Sequence, residues 1–222
     1  FVSQAEVDIM KPQTILEHYN KLHFDLLLNC AAYTKVDLAE KEVKKAQQVN
    51  WKGVENLVSF AETKKVKLIH FSTDFIFDGT HEKAYNETDT PRPLNSYGET
   101  KLSGEIALKK AKCPHTTFRT SWLFSHFGKN FVKSIFKASQ SKNTLQVVND
   151  LWGKPTYGLD LVRAVLGNID HPDLFQYETY HYAQGPKTSW YKLADTVVNL
   201  MGGSCSVNPI PSSKYPTVAK RP

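Results

Sequence analysis

The sequence predicts an α/β protein, a Rossmann-like doubly wound parallel sheet with a smaller C-terminal substrate lobe. Two observations predict it. Short apolar runs alternate with stretches of helical periodicity over 1–150, which argues for parallel strands with helices on both faces. After Asp150 the texture changes to shorter pieces, read as a second lobe over 151–222 with a discontinuous boundary.

The first strand is predicted over 24–30, an apolar run ending in Asn29-Cys30. Asp37 is placed to cap the next helix, whose apolar positions recur at Ala46, Val49, Gly53, Val54, Leu57 and Phe60. A strand over 66–72 follows, then a loop rich in Gly, Pro, Asp and Thr over 78–95. A helix is predicted over about 96–112, a strand over 116–120 and a helix over 130–138. In the second lobe 150–157 reads as a loop. Helices are predicted over 158–169 and from Thr188 or Ser189 to Met201, with strands over 179–183 and 206–210.

Composition bounds the function. Of 222 residues, 41% are apolar and 23% charged, an ordinary globular balance. No apolar run approaches a membrane span, and no charged-then-apolar leader opens the chain. The net charge of +6 sits in short lysine clusters without an aromatic–basic motif, so no nucleic-acid partner is expected. Cys30, Cys113 and Cys205 form no C-x-x-C pair, which fits a reducing, cytoplasmic setting. The eight histidines show no ligand spacing, and no metal is expected.

The chemistry centres on Ser72-Thr73-Asp74-Phe75-Ile76-Phe77-Asp78-Gly79 and Tyr97-Gly98-Glu99-Thr100-Lys101. Tyr97 and Lys101, four apart on a helix, share a face. A carbonyl reduction needs a proton donor, which a tyrosine supplies if its pKa falls toward the working pH. A nearby ammonium is expected to lower it. The Thr73 hydroxyl, at the carboxyl end of a strand where open α/β sheets place their sites, can hold the carbonyl in register. One absence stands against this: no G-x-G-x-x-G or G-x-x-G-x-x-G occurs. The expectation is that an N-terminal βα unit of roughly 30 residues precedes this sequence.

These two runs, the second extended as Pro-Leu-Asn-Ser-Tyr-Gly-Glu-Thr-Lys-Leu-Ser-Gly-Glu, resemble the extended short-chain dehydrogenase/reductases. Within them they look like the dTDP-4-dehydrorhamnose reductase family. The likeness continues in order through Asn29–Asp37, Arg119-Thr120-Ser121-Trp122, Gly128-Lys129-Asn130-Phe131, Val148-Asn149-Asp150, Thr188-Ser189-Trp190 and Lys220-Arg221-Pro222. It departs at Leu151, where a Gln is expected, and at Phe75, where Tyr is commoner.

The resemblance implies reduction of the 4-keto group of dTDP-4-dehydro-L-rhamnose by NADPH or NADH. It implies Tyr97 as proton donor, Lys101 on the nicotinamide ribose and Thr73 completing the triad. Asp8, Ala31, Ala32 and Thr34 would lie along the cofactor. Trp122 would pack on the sugar with Asp74 nearby, and Asn130 and Arg221 would reach the nucleotide diphosphate. A dTDP-sugar is the implied partner, and some members of the family form dimers. Plainer readings stand beside these: Trp122 as a core residue, Asp8 and Asn130 as helix caps, Arg221 as a solvated charge. Two alternatives to the activity are a reductase or epimerase of another nucleotide sugar, and a non-catalytic subunit like the regulatory β subunit of methionine adenosyltransferase. Trp122 and Trp190 favour the reductase.

Overall fold

The structure, a computed structural model, describes residues 2–19, 22–81 and 83–222. The chain forms two compact units. One comprises Phe1–Arg119, Asp170–His181 and Val218–Pro222, the other Thr120–Ile169 and Tyr182–Thr217. The boundary expected near residue 150 therefore falls inside the second unit, and two later segments return to the first.

In the first unit, α1 (Pro12–Tyr19) buries Ile15. Strand β1 (Leu26–Asn29) is followed by two short helices, α2 (Val36–Ala39) and α3 (Val43–Gln47). The single helix expected through this stretch is instead interrupted, and a π-helical turn over Gln48–Lys52 leads into α4 (Gly53–Lys64). The wider π turn directs Asn50 into the interior, where it is 1% exposed. Helix α4 ends at Lys65, in the left-handed region at φ 58°.

Strand β2 (Lys67–Thr73) pairs in parallel with β1, in a register that sets Leu28 beside Ile69 and Asn29 beside His70. A 3₁₀ turn over Asp74–Ile76 follows, capped by the Thr73 hydroxyl. Helix α5 (Ser96–Lys109) and strand β3 (His115–Thr120) come next. Leu27, Val54, Leu57, Val58, Phe60, Leu68 and Leu108 form the core between sheet and helices. Burying each such side chain contributes about 1.5–3 kcal/mol.

The second unit opens with β4 (Leu123–Phe124), then α6 (Phe131–Ser139) and β5 (Thr144–Val148). The stretch expected as a loop over 150–157 contains two short strands, β6 (Trp152–Gly153) and β7 (Thr156–Tyr157). Helix α7 (Gly158–Gly167) follows. Strand β8 (Thr179–Tyr182) then completes the main sheet, whose order is β1-β2-β3-β8. Back in the second unit, β9 (Thr188–Ser189) precedes α8 (Trp190–Leu200), capped by Ser189, and β10 (Ser206–Ile210). Strand β10 pairs in parallel with β5, β4 with β7, and β6 runs antiparallel to β9. Helices α6 and α8 cover β5 with Ile135, Ala194, Val197 and Val198 against Leu145 and Val147.

Among the described residues, no helix is long and apolar enough to cross a membrane.

Candidate active site

Strand β2 and helix α5 build the site. The N-terminus of α5 is held from two sides. Asn95 caps it, its side-chain oxygen accepting from the Gly98 N–H at 2.8 Å, and Glu40 accepts from the Ser96 N–H at 2.7 Å. The Asn95 amide also donates to the Lys220 carbonyl at 2.8 Å, so the C-terminal segment bears on the same turn. Gly98 is required by contact: a Cβ there would lie 2.2 Å from the Phe75 carbonyl oxygen. Gly104 is pressed as closely on the Asn50 carbonyl, at 2.3 Å. The two glycines let α5 approach the 73–76 turn on one side and the π turn on the other.

This packing brings together Thr73, Asp74, Tyr97 and Lys101. The Thr73 hydroxyl donates to the Asp74 carboxylate at 3.0 Å and hydrogen-bonds the Tyr97 phenol. The contact with Thr73 favours the phenolate, and it links Tyr97, Thr73 and Asp74 side by side. The Tyr97 ring meets Phe75 edge-on at 5.7 Å and packs against the Tyr33, Ala39 and Ala46 cluster. Lys101 is 2% exposed, its Nζ donating to the Phe71 carbonyl at 2.7 Å and lying 3.2 Å from His70 Nε2.

Electrostatics here differ from expectation. Burial pushes Tyr97 up to about 12, and the Asp74 charge adds to the rise. Desolvation dominates, and the opposing influence is the hydrogen bond with Thr73 rather than the ammonium expected to lower it. Burial also brings Lys101 down to about 8, against the opposing pull of Glu105 one turn along α5. Asp74 rises to about 6 through burial. Glu105 is itself committed to Arg119 on β3, Oε2 to Nη2 at 2.7 Å, with both side chains nearly inaccessible.

The loop after β1 presents small side chains. Ala31 and Thr34 are exposed and Ala32 half-buried, while Tyr33 is fixed by Asn50, whose amide oxygen accepts from the Tyr33 N–H at 2.8 Å. The Asn50 amide donates to the Tyr33 carbonyl and to the Thr100 hydroxyl, each at 3.0 Å, so one buried side chain ties this loop to α5. Asn29 accepts from the Ala31 N–H at 3.1 Å.

This surface fits a nicotinamide cofactor. Ala31 and Ala32 themselves present only methyl groups, with Ala31 open to solvent. Lys101 Nζ donates to the Phe71 carbonyl and stands beside His70 Nε2, and as an ammonium it keeps a donor for a ribose hydroxyl. The Ser72 hydroxyl is buried without a hydrogen-bond partner.

The remaining expected site residues have these contacts. Asp8 accepts from the Met10 N–H at 3.0 Å, a local turn before α1. Asp37 does not cap a helix. It accepts from the Ala219 N–H at 3.0 Å and pairs with Arg221 at 2.6 Å, because the last residues return beside α2. Arg221 is thus engaged by Asp37 and lies over the Phe75 ring at 5.8 Å. In the second unit, Asn130 caps α6 through the Lys133 N–H at 3.0 Å. Trp122 adopts φ 47°, rare for a bulky residue, and stacks on Trp190 at 3.5 Å with 11° between the rings. It also packs on Gly153, where a Cβ would fall 2.5 Å from the indole. His70, Asn29 and Asn50 escaped the sequence reading. The register pairing Asn29 with His70 and the break in the helical pattern near Asn50 are the signals that mark them.

A Rossmann-like α/β sheet bearing a Tyr-x-x-x-Lys helix beside a strand's carboxyl end defines the class. The family profile described as RmlD substrate binding domain matches residues 1–222. The dTDP-4-dehydrorhamnose reductase of Salmonella typhimurium is 37% identical over 227 residues, covering 97% of this chain and 75% of the relative. The dTDP-4-keto-6-deoxy-D-glucose reductase of Streptomyces niveus is 30% identical over 223 residues, covering 100% and 76%. The crystal structure of dTDP-4-dehydrorhamnose reductase from Bacillus anthracis in complex with NADP superposes with a TM-score of 0.95 at 31% identity, covering 100% of this chain and 78% of that one. The chain belongs to the dTDP-4-dehydrorhamnose reductase family.

Proposed function

We propose that this protein reduces the 4-keto group of dTDP-4-dehydro-L-rhamnose to give dTDP-L-rhamnose, using NADPH or NADH, with Tyr97 as the proton donor. The hydrogen-bonded Tyr97–Thr73–Asp74 chain beside the buried Lys101 carries this reading. The names of the relatives supply the substrate, and the NADP complex of the Bacillus anthracis protein supports the cofactor.

When bound, the reduced nicotinamide supplies a hydride to the carbonyl carbon. Thr73 and Tyr97 then have two tasks. They orient the carbonyl oxygen by hydrogen bonding, and Tyr97 protonates the oxygen as negative charge develops on it. A phenol held at about 12 is fully protonated at neutral pH, the form a reductase requires. An alkoxide is the stronger base, so transfer still runs from Tyr97 to substrate. The Lys101 ammonium, one helical turn away, favours the resulting phenolate.

In this reading the first unit, with Asp8, Ala31, Ala32 and Thr34, takes the cofactor. The second unit, with Trp122 and Asn130, takes the sugar nucleotide, and Arg221 serves its diphosphate. A cytoplasmic setting and a homodimer complete it; the three free cysteines agree with a reducing compartment. The Streptomyces niveus relative favours a second reading, the reduction of a different dTDP-4-keto sugar.

The test is turnover of 4-keto-hexulose nucleotides with NAD(P)H, followed at the nicotinamide absorbance. Tyr97→Phe should lose about 10²–10⁴-fold in kcat while retaining cofactor affinity. Absence of turnover with any such sugar, or a Tyr97→Phe variant as fast as the parent, ends the reading.

A further inference from the structure

His70 lies at the centre of β2 and is wholly buried, 0% exposed. Burial, reinforced by the Lys101 charge, holds its pKa well below the usual range, so the ring is neutral and carries one proton. Both ring nitrogens are engaged. The parallel register places Asn29 alongside, with its Nδ2 3.0 Å from His70 Nδ1. On the other side Lys101 Nζ stands 3.2 Å from Nε2.

An amide NH₂ and an ammonium both require an acceptor. A neutral imidazole offers only one acceptor nitrogen, so the two cannot be satisfied together. Two arrangements resolve the conflict. In the first, Nδ1 accepts from Asn29, and Nε2–H donates to a neutral Lys101 amine. Asn29 Oδ1 then keeps its bond from the Ala31 N–H at 3.1 Å. In the second, Nε2 accepts from the Lys101 ammonium, and Nδ1–H donates to Asn29 Oδ1 after the amide turns over. The Asn29 NH₂ then faces the Ala31 N–H, donor against donor, and Ala31 must find another acceptor.

We propose that His70 is a positioning residue that ties the protonation of Lys101 to the orientation of Asn29, and through it to the backbone N–H of Ala31. The neutral lysine goes with an Ala31 N–H tied into the protein, the ammonium with one released toward a ligand. The link is a property of the ligand-free chain; its consequence for the cofactor rests on the oxidoreductase reading. There, the ammonium and the released N–H favour the cofactor together, so binding and proton uptake by Lys101 reinforce each other.

The groups around Lys101 leave the relevant pH window to the lysine itself. Glu105 on α5 favours the ammonium and is neutralised by Arg119 on β3. Asp74, on the turn after β2, titrates near 6 and Tyr97 near 12, well to either side of the value near 8 for Lys101. Burial raises the Cys30 thiol, next to Asn29 on β1, above its ordinary value.

The experiment is ¹⁵N NMR of the full ligand-free chain between about pH 6 and about pH 10, reading His70 and the Ala31 amide. The His70 proton should sit on Nδ1 below a midpoint near 8 and on Nε2 above it, and the Ala31 amide should shift with the same midpoint. One tautomer throughout overturns the proposal, as does a change of tautomer to which Ala31 is indifferent. In His70→Gln, whose amide oxygen accepts from the ammonium and whose NH₂ donates to Asn29, the Ala31 response should vanish; its persistence also overturns the link. NADPH titrated into the parent chain should bind up to about tenfold more weakly per pH unit above the midpoint. Binding without that limb overturns the coupling to cofactor. No binding at any pH defeats the oxidoreductase reading and leaves the tautomer result standing.

Discussion

Replacing Lys101 by Met tests the electrostatics of the site without an activity assay. The side chain is 2% exposed, and burial brings its pKa from 10.5 to about 8. Each pH unit is worth about 1.4 kcal/mol, so holding the ammonium in this place costs ~3 kcal/mol. The sign follows from proton counts. Between about 8 and 10.5 the unfolded chain keeps the lysine proton and the folded chain has released it. Stability therefore rises with pH across that window. The contribution is fully present above 10.5 and is lost as pH falls through about 8. Methionine fills a similar volume and does not titrate. It forfeits the bonds to Phe71 and His70, a loss of about 1–3 kcal/mol that weighs on the variant mainly where the lysine would be neutral. Urea unfolding of both proteins at about pH 7 and about pH 10.5 isolates the lysine, because the neighbour that Lys101 perturbs, His70, is held well below its ordinary value mainly by burial and stays neutral across that window. The parent should gain ~3 kcal/mol over Lys101→Met between the two conditions. Parallel stability profiles would refute the reasoning and mean that Lys101 is hydrated when folded.

Three further outcomes follow from the same geometry. Asp74→Asn should remove the acid limb near 6 from the pH profile of turnover and bring down the Tyr97 pKa, both readable by activity and by ultraviolet titration of the phenol. Gly98→Ala should cost about 1–3 kcal/mol in a denaturant melt, since its methyl would meet the Phe75 carbonyl at 2.2 Å; an unchanged midpoint means the 73–76 turn gives way freely. Asp37→Asn should cost no more than about 1 kcal/mol globally, because the pair with Arg221 is partly exposed. It should nevertheless speed hydrogen exchange at the Ala219 amide, which donates to the lost carboxylate.

What the sequence disclosed was what is decided locally. The four-residue spacing of Tyr97 and Lys101 needs only helical geometry to place them on one face, and the β2 run needs only its short apolar stretch, buried on both faces. Asn130 and Ser189 cap helices that begin one residue later, so those boundaries were readable. The hidden part depends on distant partners. Strands β4, β6, β7 and β9 are two residues long, too short to carry a periodicity, and each exists through its pairing. Asp37 has the position of a cap, yet its partner is Arg221, 184 residues away. His70 is one of eight histidines with no ligand spacing, and its importance comes from the strand register. The fall in the Tyr97 pKa expected from an adjacent lysine was reversed by burial, which no residue pattern reports.

The bond from Asn95 to Lys220 has a consequence for the order in which the molecule is made. Asn95 caps the helix of Tyr97 with its oxygen and spends its amide on Lys220, 125 residues downstream. On a ribosome the sheet strands of residues 26 to 120 emerge long before that carbonyl exists. Until it arrives, a 4% exposed amide at the head of the helix lacks its acceptor. The first unit can collapse early around its apolar core, but the cap of the helix that carries Tyr97 is complete only once Lys220 has been made.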